Sequence, residues 1–159
     1  MNSIKVEKAL TQGAVDFLTA NTSINTVGQG TIENLPTITS NDISWDNDNF
    51  DPQGKKLWAS VFYVPNIPEG RTVGPRGIDE ITGFMQIDFN LPPADGKGVC
   101  LAWEHKARIF FHPGRVFTHD GQSVLIISTG MGQGRIIERS YRRSLTISFR
   151  SHLNRIEVS

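Results

Sequence analysis

The sequence predicts an α+β fold: a single domain in which an antiparallel or mixed β-sheet is packed by two helices. Three observations lead there. Two segments, one at the N-terminus and one past the midpoint, repeat apolar residues at spacings of three and four, the period of a helix with one buried stripe. Several others alternate apolar and polar residues, as half-buried strands do. The order helix, strands, helix, strands is that of a helix-backed sheet and not of alternating βα units. At 159 residues the chain is long enough to bury one core, and the domain is taken as residues 1–159 with long loops at 21–55 and 65–80.

The first helix is "SIKVEKALTQGAVDFLTA". Val6, Leu10, Ala14, Phe17 and Leu18 form its stripe, Ser3 is placed as N-cap, Gly13 weakens it slightly and Asn21 stops it. Residues 21–55 are rich in Asn, Asp, Thr and Gly and read as irregular, with "PTIT" as a short strand-like piece and Trp45 and Phe50 as anchors to the core. "KKLWASVFYVP" is a strand with Leu57, Ala59, Val61 and Tyr63 on one face and Trp58, Phe62 and Val64 on the other. Apolar residues on both faces place it inside the sheet. "PNIPEGRTVGPRGIDE" holds three prolines and three glycines and is expected to form no regular element.

"GFMQIDFNLPP" alternates, with Met85, Ile87, Phe89 and Leu91 inward and Gln86, Asp88 and Asn90 on a wet face. Asp95 is positioned to cap a second helix over 97–111, with Val99, Trp103, Ala107 and Phe110 inward and Pro113-Gly114 as its stop. The remainder reads as an antiparallel meander. Strands at "RVFT" and "SVLIIST" flank a turn at "HDGQ", and "GMGQG" is a hairpin turn into a final strand. In that strand Tyr141, Arg143, Leu145, Ile147 and Phe149 share one face, and Arg142, Ser144, Thr146, Ser148 and Arg150 the other.

Charge is balanced overall but unevenly spread. Residues 1–100 carry twelve acids and seven bases, and residues 101–159 four acids and nine bases. Five of those bases are the arginines at 135, 139, 142, 143 and 150. A neutral chain with one aromatic among these arginines does not fit sequence-specific nucleic-acid binding, which needs a basic surplus and stacking rings. The split points instead to complementary faces on neighbouring subunits. The acids of "NDISWDNDNFD", Asp42, Asp46, Asp48 and Asp51, have no base among them and supply the opposite sign.

No chemistry is legible, and no catalytic residue, cofactor or metal site is expected. The lone Cys100 excludes an internal disulfide framework and multi-cysteine metal sites. Cys100 and His105 lie five apart on one helix and face different ways. His105, His112 and His119 span a helix, a break and a turn, and lack further zinc ligands. "TGMGQGR" lacks the Lys-Ser/Thr ending of a phosphate loop, and the acidic loop lacks the calcium-loop pattern. No stretch has the length of an apolar membrane span and no signal peptide is seen, so a soluble protein of a reducing cytoplasm is expected.

Three stretches in order carry a resemblance. "NDNFDPQGKKLWASVFYVPN" (47–66), "ITGFMQIDFNLPPADGKG" (81–98) and "YRRSLTISFR" (141–150), with the N-terminal helix, resemble the tail terminators of long-tailed phages. The resemblance implies an α/β fold assembled as a hexameric ring, a structural virion protein without catalysis. Such proteins cap the head-proximal end of the tail tube, end its polymerisation and offer a docking surface to the head-side connector or neck protein. DNA passes through the lumen without sequence-specific binding. Another ring-forming connector or tube protein, or a small nucleic-acid-binding domain, remains the alternative. Within a ring, Arg139, Arg142 and Arg150 are the candidates for facing a neighbour's Asp42, Asp46, Asp48 or Asp51, or for lining the lumen. Ile67, Arg71, Val73 and Arg76 lie in the loop that a partner would order.

Overall fold

A computed structural model describes residues 2–19, 24–26, 30–32, 38–45, 50, 52, 57–91, 96–137 and 140–154. Its elements are α1 (Asn2–Thr19), β1 (Ile24–Thr26), β2 (Gly30–Ile32), a 3-10 turn (Ser40–Asp42) and β3 (Ile43–Trp45). Next come β4 (Trp58–Pro65), β5 (Glu69–Gly70), β6 (Ile78–Leu91) and α2 (Gly96–Phe110). The chain ends through β7 (Val116–His119), β8 (Gln122–Met131), β9 (Arg135–Ile137) and β10 (Ser140–Asn154). The main sheet runs β3-β4-β6-β10-β8-β7, with β5 added to β6 and β9 to β10. All its pairs are antiparallel except β3 with β4, so the sheet is mixed. β1 and β2 form a separate hairpin.

The two helices pack on one face of this sheet, α1 against β4, β7, β8 and β10, and α2 against β6, β8 and β10. Val6, Leu10, Ala14, Phe17 and Leu18 are all buried, as their spacing requires. Phe17 is the hinge of the core. Its ring lies 5.3 Å from Trp103, 5.5 Å from Phe110 and 5.1 Å from Phe111, joining α1 to α2. Phe89 of β6 stacks on Trp103 at 5.4 Å. Each such pair adds about 0.5–1.5 kcal/mol to the burial of the rings themselves. Lys106 is buried among them, 4.3 Å over the Trp103 ring, and burial pushes its ammonium down to about 8.

Several sequence expectations change at this level. The helix starts at Asn2, so Ser3 lies inside it and is not its cap. Gly13 is where the Phe117 ring rests: a Cβ there would stand 3.0 Å from that ring, so this glycine admits β7 against the helix. "PTIT" contributes no strand at its described residues, and the edge strand is Ile43–Trp45 instead. Trp45 does pack on the core, and Phe50 lies 5.1 Å from Trp58. β6 is longer than its alternation predicted, because Ile78–Thr82 also pairs with β10.

The glycine segment is not the hairpin turn. β8 before it and β9 after it both pair with β10, so the chain continues along the same neighbour and reverses only between Ile137 and Ser140. The "HDGQ" turn is as expected. Asp120 and Gly121 have φ of 46° and 81° and join β7 to β8 in a two-residue loop, the geometry that Asp-Gly favours.

Candidate interaction surface

Among the described residues no helix packs on the other face of the sheet, where Phe50 lies against Trp58. β6 and β10 pair without interruption from Tyr141↔Leu91 to Asn154↔Ile78, which fixes every side chain of this face. Outward from β10 point Arg142, Ser144, Thr146, Ser148, Arg150, His152 and Asn154, each partly or fully exposed, while Leu145, Ile147 and Phe149 are buried. The expected division of the arginine strand into two faces is therefore observed. The matching face of β6 is not uniformly wet. Gln86 is half-buried, but Asp88 and Asn90 are buried, covered from the neighbouring strands. Asn90 donates to the Trp58 and Asp88 carbonyls and accepts from Arg142.

The candidate charges differ in what already holds them. Arg142 Nε donates to Asn90 Oδ1 at 2.7 Å, in direct register across the sheet. Arg143, on the inner face, donates to the Gly132 carbonyl at 2.8 Å and reaches Glu104 at 4.0 Å. The Arg150 side chain is exposed and makes no hydrogen bond or ion pair among the described residues, although its charge acts on Glu80. Asp42 accepts from both the backbone N–H (2.9 Å) and the hydroxyl (3.0 Å) of Thr39, closing its own 3-10 turn. Arg139, Asp46, Asp48 and Asp51 lie outside the described residues.

The Pro/Gly-rich segment has more order than its composition predicted. β5 pairs Glu69 with Glu80 and Gly70 with Asp79. Beyond it, Arg71 N–H and Thr72 N–H both donate to the Ile78 carbonyl, and Thr72 Oγ1 accepts from Ile78 N–H at 2.6 Å. Arg71 donates to Glu80 Oε1 at 2.7 Å, and His152 Nε2 lies 3.4 Å from the other oxygen. The Arg71 guanidinium holds the Glu80 carboxyl below its ordinary value, with a smaller lowering from His152. The result is a three-stranded arm whose tip leaves Ile67 88% and Val73 101% exposed. Arg76 is exposed beside them.

The groups that could do chemistry are dispersed. Cys100 is fully buried, and burial pushes its thiol up to about 11, which leaves no thiolate at neutral pH. His112 Nδ1 sits 3.1 Å from the Pro113 carbonyl, and His119 is in β7. No cluster of three His, Cys, Asp or Glu residues suited to a metal occurs among the described residues. Among the same residues, no helix is long and apolar enough to cross a membrane.

One feature had no signal in the sequence. β8 carries an extra residue, Ile127, where its pairing with β10 steps from Ser148↔Ser128 to Phe149↔Ile126. Such a bulge bends and twists the strand. Beyond Arg150↔Leu125 the two strands part, and a cleft of about 370 Å³ opens between them.

A family model described as "Phage tail terminator protein" matches residues 23–149. One solved structure without a descriptive name matches over 94% of this chain and 94% of its own, with a TM-score of 0.69 at 14% identity, which bears on the fold alone. No curated protein matches.

Proposed function

The chain belongs to the phage tail terminator protein family and is thereby a structural protein of the phage tail, and we propose that it caps the head-proximal end of the tail tube. In this reading it ends tube polymerisation and forms the surface on which the head-side connector or neck protein docks. It acts as a ring of identical subunits, hexameric as the family resemblance implies, with the tube protein below and DNA passing through the lumen. It has no catalytic role and no sequence-specific contact with DNA.

The family match carries this reading. The architecture supports it in two ways. A sheet with helices on one face only leaves the other face and both edges for neighbours. A ring interface is heterologous, joining unlike surfaces of successive subunits. A chain with opposed charge in its two halves is suited to that arrangement.

The test is tube assembly with and without the protein. With it, tubes should stop at one length and bear added density at one end in electron micrographs, where an antibody to this chain binds. Without it, tubes should overrun and fail to join heads. Tubes of set length that join heads in its absence would overturn the reading.

A further inference from the structure

We propose that the β8–β10 cleft of one copy of this chain receives the arm of a second copy, with Ile67 seated on Val116 and Leu125 and the Glu69 carboxylate on Arg150. The inference rests on the ring reading above and names the contact that joins one subunit to the next.

The arm offers an apolar side chain and a carboxylate together. β5 pairs with β6 and with no other described strand. Asn66 N–H donates to the Thr82 carbonyl and Glu69 pairs with Glu80, so the chain takes three steps from Asn66 to Glu69 where β6 takes two from Thr82 to Glu80. The surplus falls at Ile67-Pro68, and Ile67 is left almost wholly exposed. Glu69 is 77% exposed and stands 3.9 Å from Arg71, beyond hydrogen-bond reach. Arg71 itself is taken up by Glu80 at 2.7 Å. Ile67 and Glu69 thus lie two residues apart on a scaffold that is already ordered, which lowers the cost of docking it.

The cleft offers the complements of both groups. Val116, 52% exposed, and Leu125 pair across β7 and β8 and form its apolar part. Arg150 of β10 stands opposite Leu125 in the same row. Gln122 closes the inner end, donating through Nε2 to Ser151 Oγ at 2.7 Å and to the His152 carbonyl at 2.8 Å. The Arg142 and Arg143 side chains are hydrogen-bonded within the chain, and that of Arg150 is not. Glu80, on which the Arg150 charge acts, is already held by Arg71. An arginine in that position pairs with an incoming carboxylate through charge-assisted hydrogen bonds, which are the strong ones.

The topology places arm and cleft on opposite flanks of one subunit. At this end the strands run β5-β6-β10-β8-β7, with β5 on one flank and the cleft between β10 and β8 toward the other. Within a subunit β6 and β10 stand between Glu69 and the cleft, and no ion pair joins Glu69 to Arg150. Between subunits set side by side, the arm flank of one meets the cleft flank of the next. That contact joins unlike surfaces and repeats head to tail, closing into a ring when the rotation allows. A DNA phosphate would suit Arg150 but leave Val116 and Leu125 unused, and duplex binding takes many phosphate contacts where the cleft has one arginine.

Charge reversal in the full chain tests the pairing. Arg150→Glu and Glu69→Arg should each weaken self-association about thirtyfold. Mixed in equal amounts, the two variants should assemble together, because each arm then finds a cleft of opposite sign. Ile67→Cys mixed with Val116→Cys should give a disulfide-linked pair of one with the other under mild oxidation, and Asp16→Cys in place of Val116→Cys should give none. Cys100 is buried and stays silent. The cysteine pair keeps both charges, so it decides the matter where a reversed charge disturbs the arm's own fold. The proposal falls if no mixed disulfide forms, or if both charge variants self-associate as the unaltered chain does. It also falls if Arg150→Glu assembles normally and loses only salt-dependent DNA binding, since the cleft then takes phosphate. Rings joined through arm and cleft that leave tubes uncapped would keep this inference and sink the capping reading. Tubes capped normally by Arg150→Glu would do the reverse.

Discussion

Gly83 stands opposite Pro65 in the β4–β6 ladder, and a Cβ on it would lie 2.5 Å from the Val64 carbonyl oxygen and 2.8 Å from Pro65 Cα. On the β10 side the Phe149 ring would be 3.1 Å away. Two of these three obstacles are backbone, so a side chain here cannot be absorbed by a rotamer change. The glycine marks the point where β4 leaves the sheet and β6 runs on into the arm between β10 and β5. Gly83→Ala should destabilise the protein by about 1–3 kcal/mol, although alanine is ordinarily the better strand residue by roughly 0.5–1 kcal/mol. Denaturant unfolding measures it. A midpoint equal to or above that of the unaltered chain would show that the ladder can shift.

Tyr63 stacks on Phe149 at 5.6 Å, yet its hydroxyl is buried without a hydrogen-bond partner among the described residues. Burial, with the Glu7 carboxylate adding to it, pushes the phenol up to about 12. Removing an unsatisfied buried hydroxyl while keeping the ring should stabilise Tyr63→Phe by roughly 1 kcal/mol. The pH dependence has a definite sign. The unfolded phenol loses its proton near its ordinary value of 10, the folded one only near 12. The folded state therefore holds more protons in that window, and stability falls as pH rises through it. Unfolding curves at pH 9 and pH 11 should show this part of the fall in the unaltered chain and not in Tyr63→Phe. A variant that is less stable at pH 7 would mean the hydroxyl has a partner after all.

Where the sequence was legible, the signal was local and periodic. The α1 stripe from Val6 to Leu18 and the inward row Met85, Ile87, Phe89 and Leu91 are buried as read. What failed depended on neighbours distant in sequence. Asp88 and Asn90 look wet on β6 alone, but β4 and β10 cover them. Gly13 looks like a flaw in a helix until Phe117 is placed against it. The segment 131–134 looks like a turn because nothing local says that β8 and β9 share one partner. The candidate site was partly legible. Composition found the arginines, but only the hydrogen bonds distinguish Arg150 from Arg142, and no pattern announces the bulge at Ile127.

Glu80 ties the arm together, accepting from Arg71 at 2.7 Å and facing His152 at 3.4 Å. Its folded carboxyl is held below the ordinary value of 4.5, chiefly by the hydrogen bond from Arg71. A lowered carboxyl contributes stability that is present above that value and lost as pH falls through the folded one. Hydrogen exchange should therefore show amides of Gly70–Ile78 protected at pH 7 and progressively less so below about pH 4.5. In Glu80→Gln the same amides should exchange faster at pH 7 and show no further acid-linked loss. Protection in Glu80→Gln equal to that of the unaltered chain would mean that the backbone hydrogen bonds to Ile78 hold the arm by themselves.

The arm's tip presents apolar surface that the subunit itself does not use. Ile67 is 88% exposed and Val73 101%, while the backbone between them is hydrogen-bonded into the β5–β6 pairing. Exposed apolar side chains on an ordered scaffold cost little to bring to a partner, since the chain beneath them is already fixed. Replacing both by serine should leave the subunit's own stability within about 0.5 kcal/mol, because both side chains are almost wholly exposed. Assembly should respond differently. If the tip seats against a neighbouring subunit or the tube, burying two such side chains contributes roughly 1.5–3 kcal/mol each, and Ile67→Ser with Val73→Ser should cap fewer tubes at equal concentration. Arg76, exposed at the same tip, should tolerate Arg76→Ala unless its partner is acidic. Hydrogen exchange on the double variant separates the two ways of failing. Protection unchanged in the free subunit with capping lost assigns the tip to a partner, whereas protection lost in the free subunit would make these residues part of the arm's own folding.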